Sequence, residues 1–142
     1  MPSRILIVED QDLMRLSMEE YLDQRDGLEV MACVEDAASA LEMVNQANGD
    51  LDLALIDVAL PGRSGIDLLQ QLRTDHADLQ CLMLSGHAEE SYVRAAKEAG
   101  AQGYVVKGKP DEYPRAVKAV LAGETYTSDA VTAMWDRVGK AS

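Results

Sequence analysis

The sequence predicts a doubly wound α/β domain, a five-stranded parallel sheet with helices on both faces. Three observations carry this. Short unbroken apolar runs recur along the chain, each is followed by a segment whose apolar residues return every three or four positions, and polar or turn-forming residues close each run. Strands that are apolar throughout belong to sheets covered on both sides, and their alternation with amphipathic helices calls for parallel strands joined by right-handed crossovers.

The first strand is Arg4-Ile-Leu-Ile-Val-Glu9, and the helix after it runs from Asp12 to Arg25 with Met14, Met18, Tyr21 and Leu22 on one face. Leu28 to Val34 reads as the second strand, and Ala37, Leu41 and Val44 mark its helix. Leu51 to Ile56 is the third, followed after Pro61-Gly62 by a helix with Ile66, Leu69 and Leu72 inward. Cys81-Leu-Met-Leu84 is the fourth, with Val93, Ala96 and Gly100 on its helix. Gly103-Tyr-Val-Val-Lys107 is the fifth, before a helix carrying Tyr113, Ala116, Val117, Val120 and Leu121. The pattern divides the chain into a domain over residues 1–123 and a C-terminal extension over 124–142. In the extension Thr127 or Ser128 caps a helix over Asp129 to Val138, whose apolar stripe is Val131, Met134, Trp135 and Val138. So short a helix needs a surface, so the stripe is expected to pack on its own domain or on a second copy of the chain.

The chain's 142 residues fit one domain, and 47% apolar with 27% charged residues is an ordinary globular balance. No apolar stretch reaches the roughly 20 residues of a spanning helix, and Met1-Pro-Ser-Arg before Ile5 is too short for a secretory signal, so the expected location is the cytoplasm. Cys33 and Cys81 lie inside apolar runs and read as packed thiols rather than metal ligands or a disulfide. A net charge of −12 argues against this domain holding nucleic acid by itself, because phosphate contacts need a concentrated basic face, so no direct nucleic-acid contact is expected. No membrane contact is expected either.

In doubly wound sheets ligands sit beyond the carboxyl ends of the strands. Those ends carry Glu9-Asp10, Asp57, Ser85-Gly86 and Lys107. Asp57 is the most informative. A carboxylate at the rim of an apolar strand loses solvation and is retained only if a cation, hydrogen bonds or some chemistry compensates it.

Val8-Glu9-Asp10, the run Leu55-Ile-Asp57-Val-Ala-Leu-Pro-Gly-Arg-Ser-Gly65, Leu84-Ser85 and Gly103-Tyr104-Val-Val-Lys107 together resemble the receiver domain of two-component response regulators, over about residues 4–123. The resemblance implies strand order 2-1-3-4-5, which brings Asp57 beside Asp10 and Glu9. It implies Mg2+ held by Asp10 and Asp57 directly, by Glu9 through water and by the Ala59 carbonyl. Asp57 is then the phosphoacceptor, Ser85 and Lys107 bind the phosphoryl oxygens, and Ser85 with Tyr104 forms the switch. The implied partner is a sensor histidine kinase or phosphotransfer protein, with a second copy of the chain as a further partner. Phosphorylation would turn Tyr104 inward and change the face made by the fourth helix, fifth strand and fifth helix.

The sequence departs from the family pattern in places. The acid pair is Glu-Asp rather than Asp-Asp, Gly108-Lys109 separate Lys107 from Pro110, and Gly86-His87 follow Ser85. His87 and His76 read as solvated loop residues. Leu121-Ala-Gly-Glu-Thr-Tyr-Thr-Ser resembles the end of receivers that precede a helix-turn-helix domain, so the chain reads as part of, or related to, a DNA-binding transcription regulator. The alternatives are a stand-alone receiver or a phosphorylation-independent interaction module. A haloacid-dehalogenase phosphatase would need a second Asp where Ala59 stands, and a nucleotide module would need a phosphate loop where Glu9-Asp10 lie. The expectation is a phosphoacceptor and not a turnover enzyme.

Overall fold

A computed structural model describes residues 2–139 except 24 and 26. In chain order the elements are β1 (Ser3–Val8), α1 (Asp12–Asp23), β2 (Leu28–Val34), α2 (Ala37–Ala47), β3 (Leu53–Asp57), α3 (Gly65–Asp75), β4 (Gln80–Ser85), α4 (Glu90–Glu98), β5 (Gly103–Val106), α5 (Glu112–Leu121), β6 (Tyr126–Thr127) and α6 (Asp129–Arg137). The strands form one parallel sheet in the order β2-β1-β3-β4-β5-β6. The five expected strands are present in the expected order. The sixth is additional to them, because two residues are too few to show a period.

The period-2 pleat sorts the strand residues into two cores. Leu6, Val8, Ala54, Ile56, Cys81, Met83 and Tyr104 face the layer that contains the apolar residues of α2, α3, α4 and α6. Ile5, Ile7, Leu53, Leu55, Leu82, Leu84 and Val105 face α1 and α5. Burial on both sides is why these strands read as continuous apolar runs.

Caps set several helix starts. Asp36 accepts the Ser39 N–H at 2.7 Å to begin α2, which also holds its carboxyl below the usual range. Ser64 accepts the Asp67 N–H at 3.1 Å to begin α3. Gly65, next to that cap, is a steric requirement. A β-carbon there would collide with the Asp57 backbone carbonyl, while its N–H donates to Val58 O at 2.9 Å. Gly65→Ala is therefore expected to cost about 3 kcal/mol, as overpacking against fixed backbone does. Urea unfolding of the two proteins checks this, and a change under about 0.5 kcal/mol would show that the turn can move aside.

Several local expectations are corrected. Tyr21 sits at the edge of the α1 stripe, with more than a third of its surface exposed, because Met18 and Leu22 alone are centred on the sheet. The helix ends at Asp23, and the following turn closes through Arg25 N–H to Leu22 O at 3.2 Å. β3 starts at Leu53 because Asp52 bridges instead to Arg4, accepting its N–H at 2.8 Å. Gly100 lies beyond α4 in a left-handed turn at φ +99°. His76 closes α3, its N–H bonding Leu72 O at 2.8 Å and its ring meeting Asn45 Oδ1 at 3.0 Å. The Cys33 and Cys81 thiols are pushed up to about 12, chiefly by burial, which suits packed and unreactive groups.

Within the extension, residues 124–139 pack on the domain itself. β6 pairs with β5, and Val131, Trp135 and Val138 are buried. Ser128 occupies the N-cap position of α6, yet its hydroxyl makes no capping bond. It points instead at Glu112, 3.0 Å from both carboxylate oxygens, while accepting the Val106 N–H at 3.0 Å. Tyr126 donates its hydroxyl to the same carboxylate at 2.8 Å. Gly103 permits this edge, since a β-carbon there would strike the Tyr126 carbonyl.

Candidate functional site

Register assembles the site. β1 and β3 pair through Val8↔Ile56, so Glu9 and Asp57 leave adjacent strands at the same level. Asp57 pairs with Leu84 and Ser85 with Val106, so Ser85 and Lys107 follow one step further along. Pleat parity then divides them. Glu9, Asp57 and Lys107 continue the rows that face α1 and α5, whereas Ser85 and Tyr104 belong to the rows that face α4.

On the first side two carboxylates meet one ammonium. Glu9 is fully buried and Asp57 is 3% exposed. Lys107 Nζ lies 2.5 Å from Glu9 Oε1 and 3.0 Å from Asp57 Oδ2. The remaining Asp57 oxygen accepts the Ala59 N–H at 3.0 Å, which closes a tight turn after the strand. Burial would lower the Lys107 pKa, but its bonds to Glu9 and Asp57 outweigh it and hold the ammonium above the usual lysine value. Burial raises the Glu9 carboxyl, and the Asp57 charge adds to the rise against the opposing pull of Lys107 and the Gln11 N–H.

Asp10 stands at the solvent edge, and one oxygen from each of Glu9, Asp10 and Asp57 falls within 4.8 Å of the others. Glu9 Oε1, although sealed from solvent, has no directed hydrogen bond, and its contact with Lys107 is ionic. Three clustered carboxylates with a lone pair to spare suit a hard divalent cation such as Mg2+. Arg15, which no sequence motif marks, braces the cluster. It donates to Glu9 O at 3.0 Å while pairing with Asp12 at 2.6 Å and Glu35 at 3.3 Å.

On the other side the hub is a backbone carbonyl that residue types alone do not reveal. His87 O accepts the Ser85 hydroxyl at 2.9 Å and faces the Tyr104 hydroxyl at 3.5 Å, and the His87 N–H returns to Ser85 Oγ at 3.1 Å. Tyr104 is already fully buried. Its ring is enclosed in the core shared with α4 and α6. Asp10, Asp57, Ala59, Ser85, His87 and Lys107 line one cavity of about 290 Å³, so the two halves of the site open on a common space.

Comparison with known proteins agrees with this geometry. A family model described as the response regulator receiver domain matches residues 5–118. The chain is 35% identical over 131 residues to the nitrate/nitrite response regulator protein NarP of Escherichia coli K12, covering 92% of this chain and 60% of that protein. It is 34% identical to the transcriptional regulatory protein DegU of Brevibacillus brevis, covering 91% and 54%. Thus it spans little more than half the length of these curated relatives. Among solved structures, a two-component response regulator of the LuxR family from Aurantimonas sp. SI85-9A1 superposes with a TM-score of 0.88 at 28% identity, covering 96% of each chain. The chain belongs to the response regulator receiver domain family of two-component signalling.

Proposed function

We propose that Asp57 is the phosphoacceptor of this receiver and that Glu9, Asp10, Ser85, Lys107 and Tyr104 serve its phosphorylation. The observation that carries the reading is the buried Asp57 carboxylate, held between the Ala59 N–H and the Lys107 ammonium at the mouth of a cavity. An Asp57 oxygen attacks the phosphorus of a phosphohistidine on a sensor kinase or phosphotransfer protein. An O–P bond forms as the P–N bond breaks, and the departing imidazole takes up a proton. Positioning and charge neutralisation are the protein's contribution. Asp10, Asp57 and the Ala59 carbonyl would hold Mg2+, with Glu9 acting through water, and the bound ion supplies positive charge against the transferring phosphoryl oxygens.

Lys107 then exchanges a carboxylate partner for a phosphoryl oxygen, and Ser85 turns its hydroxyl from His87 O to another. Ala59 has no polar side-chain group with which to orient a hydrolytic water. The chain accepts one phosphoryl group per cycle and is no turnover enzyme. A histidine kinase partner that donates its phosphoryl group in the cytoplasm is the support for a cytoplasmic location. Among the described residues no helix is long and apolar enough to cross a membrane. The output we propose is regulation of transcription, as the name of the transcriptional regulatory protein DegU supports, through a DNA-binding module outside residues 1–123.

Incubation with acetyl phosphate and Mg2+ followed by intact-mass measurement tests the reading. One added phosphoryl group, lost in the presence of excess chelator, is the expected result. No gain with acetyl phosphate or with a phosphorylated histidine donor would instead favour a phosphorylation-independent interaction module.

A further inference from the structure

We propose that α6 is a latch whose grip on α4 tightens when Asp57 is phosphorylated, with Lys97 and Trp135 as its catch. The proposal rests on the phosphoacceptor reading and extends it to the segment after residue 123.

The base and the tip of α6 are held differently. At the base, the Ser128 N–H donates to Tyr104 O at 3.1 Å and its hydroxyl is fixed between Val106 N–H and buried Glu112. These are sheltered bonds that complete the edge of the sheet. At the tip, Lys97 of α4 reaches over the helix. Its Nζ donates to Trp135 O at 2.7 Å and lies 5.3 Å from the centre of the indole ring. The ammonium thus meets a carbonyl in the last turn of α6, which also accepts the Val138 N–H at 3.2 Å and lies at the negative end of the helix dipole. The other tie, Arg137 to Glu90 at 3.7 Å, is solvent-exposed and weak. The base is therefore held by sheltered polar bonds to the sheet edge and α5, whereas the polar ties described at the tip run to α4.

The tip is joined to the phosphorylation site through α4. Residues 86–89 connect Ser85 to the first turn of α4, where Glu90 sits. Ser85 has one hydroxyl proton, now given to His87 O. A phosphoryl group on Asp57 offers a charged acceptor, which makes the stronger bond, so the hydroxyl turns to donate to that partner. His87 O is left with the Tyr104 hydroxyl, now at a long 3.5 Å. Shortening that bond draws the loop and the start of α4 down over Tyr104. Val93, Ala96, Tyr104, Val131 and Trp135 share one apolar cluster, so α4 and α6 close on each other as the loop descends. Coupling of this kind is reciprocal: a seated α6 must favour the phosphorylated state as much as phosphorylation favours seating.

The sequence contains one tryptophan, which makes Trp135 its own probe. In the full chain with Mg2+ and acetyl phosphate, intact mass should show one phosphoryl group while acrylamide quenching of Trp135 falls. Beryllium fluoride, a phosphoryl mimic read at equilibrium, should bind Lys97→Met about fivefold more weakly than wild type, the low end of measured couplings. Lys97→Arg, which keeps the cation and the donor, should restore most of that loss. A phosphoryl gain with unchanged or increased quenching, or equal beryllium fluoride affinity in Lys97→Met, overturns the latch and leaves the phosphoacceptor reading standing. No phosphoryl gain overturns both.

Discussion

Asp57→Asn is expected to abolish phosphoryl uptake from acetyl phosphate and to leave the fold at least as stable as wild type. Loss of the proposed nucleophile accounts for the first half. The second follows from the charge inventory of the cluster. Glu9 and Asp57 are both buried and share the single Lys107 ammonium, so the enclosed group carries an excess negative charge. Neutralising Asp57 leaves a one-to-one pair between Glu9 and Lys107, while the Asn oxygen still accepts the Ala59 N–H in the same turn. In chelator, the variant should gain about 1 kcal/mol in urea unfolding, since uncompensated buried charge is costly. In Mg2+ the order should narrow or reverse, because the wild type has one more charged ligand with which to bind and be stabilised by the cation. Residual phosphorylation of the variant would move the nucleophile elsewhere. A loss of more than about 1 kcal/mol in chelator would show that the Asp57 charge supports the fold rather than burdening it.

Lys107→Met should do the opposite. Removing the ammonium strands two carboxylates in an apolar setting, and breaking a buried pair in this way costs about 3 kcal/mol at neutral pH. The pH dependence has a defined sign. In the wild type Lys107 keeps its proton above the ordinary lysine value of 10.5, so the stability it adds is fully present below that value and is lost as pH rises through the raised one. Glu9 runs the other way from most carboxylates. Its folded pKa is raised above 4.5 by burial, so ionised Glu9 opposes folding at neutral pH, and that opposition fades as pH falls toward 4.5. Met at position 107 removes the group that pulls this pKa down and so enlarges the effect. The deficit of the variant should therefore shrink on acidification from about pH 7 to about pH 5, and in Mg2+ at neutral pH. A deficit independent of both pH and Mg2+ would mean that lost packing of the lysine stem, not charge, is responsible.

Both variants act on residues that the sequence pattern singles out. Glu9, Asp57, Ser85 and Lys107 each end an apolar run, and parallel strands whose runs end together must present their next residues at one edge. Both faces of each strand are buried, so the runs are unbroken, and the five βα units are legible from them. What the pattern does not show has local causes. β6 is two residues long and has no period of its own. Ser128 looks like a cap because its neighbours are those of a cap, but Glu112 lies sixteen residues earlier and only the approach of α5 to β6 brings it within reach. The one hint is an acidic residue beside the apolar face of α5. Arg15 carries no signal because an arginine on an amphipathic helix is ordinarily solvated, and its grip on Glu9 O depends on the loop folding back.

The sequence by itself determined the α/β class, the strand ends at which the candidate site lies, and the chemical identity of the group: three acids, a hydroxyl, an aromatic and a lysine. Tertiary structure alone decided how they are paired. Pleat parity sent Asp57, Glu9 and Lys107 to one side of the sheet and Ser85 with Tyr104 to the other, meeting at a backbone carbonyl that has no residue type to betray it. It also decided that residues 124–139 pack on the domain, because whether a short apolar stripe is buried depends on the shape of the surface it meets, and that surface is built from α4 and β5, segments distant from it in the chain.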